Sequence, residues 1–223
     1  HPKFGKQGDK LIKNHFLGLI NILKVLPIKK IKKFIQIGSS AEYGRAKSPI
    51  KENFECTPRT PYSVAKFLCS KYLMNLFFQQ KFPVTIFRLF QVYGPKQDDN
   101  RIIPFLIKNC MKNKKFLTTK GEQLCDFCHI DDIVDAIFKS LCDQKSNGDI
   151  FNIGLGKPIQ IKKLINFTVK EIGKGKPIIG GLKYKEDTNK KNYPNINKIK
   201  KKLKWKPKIN IYTGIKKTIE SFR

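Results

Sequence analysis

Apolar residues return at helical spacing through 11–25, from Leu11 and Ile12 through Phe16, Leu19, Ile20 and Leu23 to Val25, which predicts a helix ended near Pro27. The run Phe34-Ile35-Gln36-Ile37-Gly38 reads as a strand, and a helix crossing to a strand is half of a parallel βαβ unit. Residues 45–60 are polar, carry Pro49 and Pro58, and read as a loop in which Glu52 and Glu55 are expected to be solvated. A long helix is expected over 62–80. The segment from Pro83 to Phe90 is too apolar for a half-wet edge and predicts a buried strand, closed by the turn Gln91-Val92-Tyr93-Gly94-Pro95. Beyond it the pattern predicts a helix over 101–112, short strands at 115–119 and 124–130, and a helix from Ile133 capped by Asp131 and Asp132. A strand at 150–153, a helix at 160–172, a Gly-rich loop at 173–181, a helical turn at 198–203 and a last helix at 211–222 complete the chain.

Two stretches carry chemistry. Ser39-Ser40-Ala41-Glu42-Tyr43-Gly44 follows the first strand, and Thr60-Pro61-Tyr62-Ser63-Val64-Ala65-Lys66 opens the long helix. Tyr62 and Lys66 are four residues apart and share one helix face. An ammonium beside a phenol favours the ionised phenol, which then works as an acid or base, and the Ser39 hydroxyl can meet the same group. Ligands of open parallel sheets bind beyond the carboxyl ends of the strands, so Gly38-Ser39-Ser40 and Phe90-Gln91 are expected to line one crevice.

Tyr-x-x-x-Lys alone is unspecific; the order of five marks is not. Gly-Ser-Ser-Ala-Glu-Tyr-Gly (38–44), Pro-Tyr-Ser-Val-Ala-Lys (61–66), Phe-Arg-Leu-Phe-Gln-Val-Tyr-Gly-Pro (87–95), Gly-Glu-Gln-Leu-Cys-Asp-Phe (121–127) and Phe-Asn-Ile-Gly-Leu-Gly (151–156) occur in turn. From Leu11 to the C-terminus the chain thereby resembles the extended short-chain dehydrogenase/reductases, the NAD-dependent nucleotide-sugar epimerase/dehydratase family. The resemblance implies an α/β fold: a partial Rossmann-like, doubly wound parallel sheet with a small C-terminal α/β substrate-binding lobe. Residues 1–95 would form the C-terminal part of the NAD-binding domain. Residues 96–223 would form mainly the substrate lobe, with about 124–154 returning to the core sheet.

Carried over residue by residue, Tyr62 resembles the catalytic acid/base, Lys66 the lysine that binds the nicotinamide ribose, and Ser39 the hydroxyl that orients the reacting oxygen. Phe90 matches a cofactor-side contact, and Ser40 and Gln91 fall on the substrate side, Gln91 in place of an asparagine. Cys125 stands where the family usually has an arginine on the nucleotide diphosphate. His15 stands where an asparagine precedes Gly18 and is assigned no role. The implied cofactor is NAD or NADP, the implied substrate a nucleotide-diphosphate sugar, and the implied assembly a homodimer when full length, with helix 62–80 as one candidate surface. Ala41 occupies the place of the dehydratases' acid, and Glu42, one place on, faces the other way if the strand continues. An epimerase or 4-keto reductase is therefore favoured over a 4,6-dehydratase; a non-catalytic or inactive nucleotide-sugar- or NAD-binding fragment is the other alternative. The family's glycine-rich turn does not occur in this sequence, so about 80–90 preceding residues are expected in a longer, active parent, and this chain alone is expected to be inactive.

Composition changes this picture little. A net charge of +29 invites a polyanion, but only five of the 46 basic residues are arginine and the lysines are spread along the chain, so no specific nucleic acid is expected. No run of 18 apolar residues predicts a membrane span. Six cysteines without a secretion signal suggest reduced thiols in a cytoplasm. Cys125-x-x-Cys128 lacks a second ligand pair, so no metal is expected.

Overall fold

The computed structural model describes residues 3–184 and 189–222. In chain order, helix α1 (Lys6–Ile12) passes through a π turn (Lys13–Leu17) into α2 (Gly18–Val25), followed by strand β1 (Phe34–Ser39), the long α3 (Pro61–Gln80), β2 (Val84–Leu89) and β3 (Gln91–Tyr93). Then come α4 (Ile102–Met111), β4 (Lys115–Thr118), β5 (Leu124–Cys125), β6 (Phe127–His129), α5 (Ile130–Leu141) and β7 (Asp149–Ile153). The chain finishes with β8 (Ile159–Gln160), α6 (Ile161–Ile172), β9 (Lys176–Ile179), β10 (Lys191–Asn192), α7 (Asn197–Lys202) and α8 (Ile211–Glu220). No helix among the described residues is long and apolar enough to cross a membrane.

The chain forms two compact units that interleave in sequence: 1–90, 135–153 and 195–205 make the first, and 91–134, 154–194 and 206–223 the second. The sequence reading divides the chain at 95, with a return over about 124–154 and no return at 195–205.

The first unit is built on three parallel strands in the order β1-β2-β7, with Gly38 opposite Arg88 and Arg88 opposite Asn152. One face buries Val84 and Ile86 against Leu19 and Leu23 of α2 and Cys69 and Leu73 of α3. On the other, the Thr85 hydroxyl donates to the Ser146 carbonyl at 2.8 Å, and the Ser146 hydroxyl lies 3.3 Å from Ser140 of α5. Helices on both faces make the sheet Rossmann-like and doubly wound, as the alternation of elements predicts. The sheet's two margins differ. On β7 the Ile150 carbonyl accepts from Lys198 Nζ (2.8 Å) and the Asn152 N–H donates to Glu52 (3.0 Å), whereas β1 has β2 as its one strand partner among the described residues. Glu52, expected in solvent, is therefore a half-buried edge cap.

The second unit packs α4, α6 and α8 around a core that includes Tyr93, Leu106, Ile107, Leu164 and Ile215. Its small sheets pair β3 with β6, β4 with β9, and β5 with both β8 and β10. The expected single strand at 124–130 is two strands broken at Asp126. That carboxylate turns inward to accept the Leu155 N–H at 2.6 Å and the Lys157 N–H at 3.1 Å. Asp132 likewise accepts from the Lys208 and Ile209 amides, at 2.9 and 3.0 Å, rather than acting only as a helix cap.

Candidate active site

At the end of β1 the backbone leaves the strand for a 3₁₀ turn, Ser40–Tyr43. Ser39 is its N-cap: the Ser39 oxygen accepts from the Ala41 amide at 3.2 Å, and the Glu42 carboxylate accepts from the Ser39 amide at 2.8 Å, a reciprocal capping box. Ser40, half-buried, opens the turn. The turn replaces the period of two on which the expected orientation of Glu42 rested. Glu42 points inward, is fully buried, and accepts from Arg88 Nε at 2.9 Å. Gly38 makes room for it, since a Cβ there would lie 2.6 Å from Glu42 Oε1. The Arg88 guanidinium sits 4.5 Å from the centre of the Tyr43 ring, and the Tyr43 hydroxyl donates to Asn152 Oδ1 at 2.8 Å. Burial raises the Glu42 pKa, opposed by the Arg88 charge and the Ser39 N–H. Burial works to lower the Arg88 pKa, but the charges of Glu42 and Tyr43 bring it above its ordinary value. The Tyr43 phenol is pushed up to about 12, mainly by burial, and its proton is engaged by Asn152.

Helix α3 starts at Pro61 behind a second capping box, in which Thr60 Oγ1 accepts from the Ser63 amide (3.2 Å) and Ser63 Oγ from the Thr60 amide (2.8 Å). Its first two turns carry Tyr62 and Lys66, both half-buried. Lys66 Nζ lies 5.9 Å from the Tyr62 ring centre and donates to the Ile37 carbonyl at 3.0 Å, two residues before Ser39. The structure thus brings the ammonium to both the phenol and the end of β1. Burial lowers the Lys66 pKa, resisted by the charges of Cys69 and Glu42.

His15 joins this group from the π turn. Its ring meets Tyr62 edge-on, centroids 5.7 Å apart, and its carbonyl accepts from Cys69 Sγ at 3.5 Å. Its pKa is lowered by burial and by the Lys66 charge. Sequence reasoning assigned His15 nothing; the signal available was its register three residues before Gly18.

Phe90 is buried with Tyr43 and Ile50, so its side chain belongs to the core of the first unit. Gln91 lines a cavity of about 580 Å³ inside the second unit, together with Cys125, Gln123, Thr118, Phe105 and Arg101. Arg101 is the one charged side chain among the described residues that line it. Burial, and secondarily Asp126, push the Cys125 thiol up to about 11, so it is neutral. Gln123 Oε1 is buried without a partner. Cys125 and Cys128 lie on separate strands, all six cysteines are free thiols, and no cluster of three or more His, Cys, Asp or Glu side chains forms a cation site among the described residues.

The family model for the NAD dependent epimerase/dehydratase family matches residues 2–154. Human dTDP-D-glucose 4,6-dehydratase is 30% identical over 201 residues, covering 87% of this chain and 57% of the human protein. The UDP-glucose 4-epimerase of Thermotoga maritima, solved with UDP-glucose, superposes with a TM-score of 0.89 at 25% identity, over 96% of this chain and 71% of that one. The UDP-glucuronic acid 4-epimerase of Bacillus cereus, solved with UDP-glucuronic acid and NAD, gives 0.88 at 26%, over 98% and 70%. The chain spans little more than half the length of the first curated relatives it matches.

Proposed function

Since the chain belongs to the NAD dependent epimerase/dehydratase family, we propose that it carries the acid/base group and the sugar-nucleotide pocket of an NAD(P)-dependent nucleotide-sugar epimerase or 4-keto reductase. The observation that carries the reading is the Tyr62–Lys66 pair on α3, tied by the Lys66–Ile37 bond to the strand that ends in Ser39.

The residues present fit the nicotinamide-ribose end of the cofactor: an ammonium and a phenol one helical turn apart beside the carboxyl end of a parallel strand. The sequence contains no Gly-x-x-Gly-x-x-Gly turn for the pyrophosphate. When bound, a nicotinamide dinucleotide supplies hydride acceptance and return at the sugar carbon. Tyr62 takes the proton from the sugar hydroxyl and later returns it. Lys66 sets its positive charge beside the Tyr62 ring and would hold the ribose hydroxyls. The Ser39 oxygen already accepts the Ala41 N–H, which leaves its proton to donate to the reacting oxygen. Ser40 falls on the substrate side of the same turn. With the Phe90 side chain in the core, a cofactor contact there falls to its backbone.

The cavity of the second unit supports the substrate class. Arg101 offers a cation for a diphosphate, Gln91 a side-chain amide, Gln123 an unused acceptor for a base or sugar donor, and Phe105 and Phe127 apolar surface. Arg101 would thus supply the charge absent at Cys125. Against the 4,6-dehydratase reading, Ala41 bears no acid and Glu42 is committed to Arg88 and the Ser39 amide. We place a homodimer contact on α3, where Tyr72 and Phe78 are exposed.

Calorimetry with UDP-, dTDP- and GDP-glucose tests the pocket. One of them is expected to bind this chain, and Arg101→Ala to weaken it about tenfold, the loss of one charge-assisted contact. No binding, or binding indifferent to Arg101→Ala, would overturn the assignment.

A further inference from the structure

Glu42 is a fully buried carboxyl group in a chain with 17 acidic residues against 46 basic ones. Burying a carboxylate costs several kcal/mol before its partners offset it. Its partners are specific. One oxygen takes the Ser39 amide at 2.8 Å and the other Arg88 Nε at 2.9 Å. Arg88 stands opposite Gly38 in the strand register and stacks on Tyr43, while the absent Cβ of Gly38 leaves the space the carboxylate fills. The carboxylate therefore links three features around the end of β1: Gly38 beneath it, Ser39 at its oxygen, and Tyr43 across the guanidinium.

Its charge reaches further. Lys66 Nζ donates to the Ile37 carbonyl at 3.0 Å, one residue before the Gly38 beside which the Glu42 carboxylate sits, and the titratable groups that bear on it are Tyr62 and Cys69 on its own helix, His15 from the π turn, and Glu42 from the 3₁₀ turn. Of these, Glu42 is the one carboxylate, and burial of Lys66 works against its ammonium form. With Glu42 neutral, the Arg88 and Lys66 cations would share this buried region without a counter-charge.

We infer that Glu42, paired with Arg88, is the positioning residue of this site: it fixes the backbone that presents the Ser39 hydroxyl and holds negative charge against the Lys66 ammonium. The inference rests on the reading of Ser39 and Lys66 as site groups. Glu42 touches no reacting atom in this scheme and acts through those two residues. The pairing is an alternative use for an acid in this turn, facing the protein instead of the substrate.

The test is spectroscopic and needs neither cofactor nor sugar, so a chain that binds no nucleotide sugar would sink the functional reading and still decide this one. In the full chain labelled with ¹⁵N-serine and ¹³Cε-lysine, Lys66 is identified by the resonance lost in Lys66→Arg. Glu42→Gln keeps the shape and removes the charge. Lys66 is then expected to give up its proton at lower pH than in the parent chain. Glu42→Asp keeps the charge but is one methylene short. It is expected to leave the Lys66 titration in place and to shift the Ser39 amide as its 2.8 Å bond opens. An unmoved Lys66 titration in a folded Glu42→Gln would overturn the inference, whatever its melting temperature. If Glu42→Gln does not fold, Glu42→Asp decides alone: an unchanged Ser39 amide overturns the inference, and a shifted one supports it.

Discussion

Replacing Gly38 by alanine tests how tightly the turn is built. The new Cβ would lie 2.6 Å from Glu42 Oε1, 3.3 Å from the Phe87 carbonyl oxygen and 3.4 Å from Arg88 Cγ. Carbon and oxygen settle no closer than about 3.3 Å, so the carboxylate must retreat by about 0.7 Å. Its 2.8 Å bond from the Ser39 amide then stretches to about 3.5 Å, the limit of a hydrogen bond. Losing a charge-assisted bond costs about 1.5–3 kcal/mol and crowding a packed site about 1–3 kcal/mol. Alanine's smaller backbone entropy returns about 0.5–1 kcal/mol. The net expectation is a loss of about 1.5–5.5 kcal/mol. Urea unfolding followed by the fluorescence of Trp205, the one tryptophan and fully buried in the first unit, reads it directly. In a Glu42→Ala/Arg88→Met background the clash partner is gone, and Gly38→Ala should cost at least about 1 kcal/mol less. A Gly38→Ala chain within about 0.5 kcal/mol of the parent, or an equal cost in both backgrounds, would refute the reasoning.

Two other outcomes follow from the geometry. Burial raises the Asp126 pKa from the ordinary aspartate range to about 6, despite the backbone N–H groups it accepts. The folded carboxyl thus keeps a proton that the unfolded chain releases, so stability is full below about pH 4 and falls by about 3 kcal/mol as pH rises through 6. Asp126→Asn should flatten that slope in calorimetric melts between pH 3.5 and 7, and equal slopes would contradict it. Phe78→Glu on α3 should convert the proposed dimer to monomer in light scattering, whereas an undisturbed dimer would move the interface elsewhere.

Local order was legible where period and punctuation agree. The strand before Ser39, Pro61 at the first position of α3, and the four-residue spacing of Tyr62 and Lys66 were enough to place the phenol and the ammonium together. What escaped depends on contacts far apart in sequence or on a change of period. Glu42 turned inward because the chain leaves the strand at Ser40, where an alternation argument no longer applies. Glu52 meets β7 100 residues away, a contact no local pattern encodes. The Gly-rich stretch after α6 reads as loop, yet Lys176–Ile179 finds a partner in β4 and becomes a strand. Asp126 interrupts a run that looks continuous because three backbone amides of the 155–157 turn draw it inside. His15 carried only a register clue, and its ring contact with Tyr62 depends on the π turn that re-aims the helix.

The two margins of the first unit's sheet carry opposite instructions for growth. Lys198 and Glu52 occupy backbone positions on β7 that another strand would need, as charged residues do where a protein must not polymerise edge to edge. Along Phe34–Ser39 the ladder is open on one side among the described residues. Any strand that joins, whether from the same polypeptide or another, enters there, and its arrival extends the platform next to the serine, phenol and ammonium while the far border stays sealed.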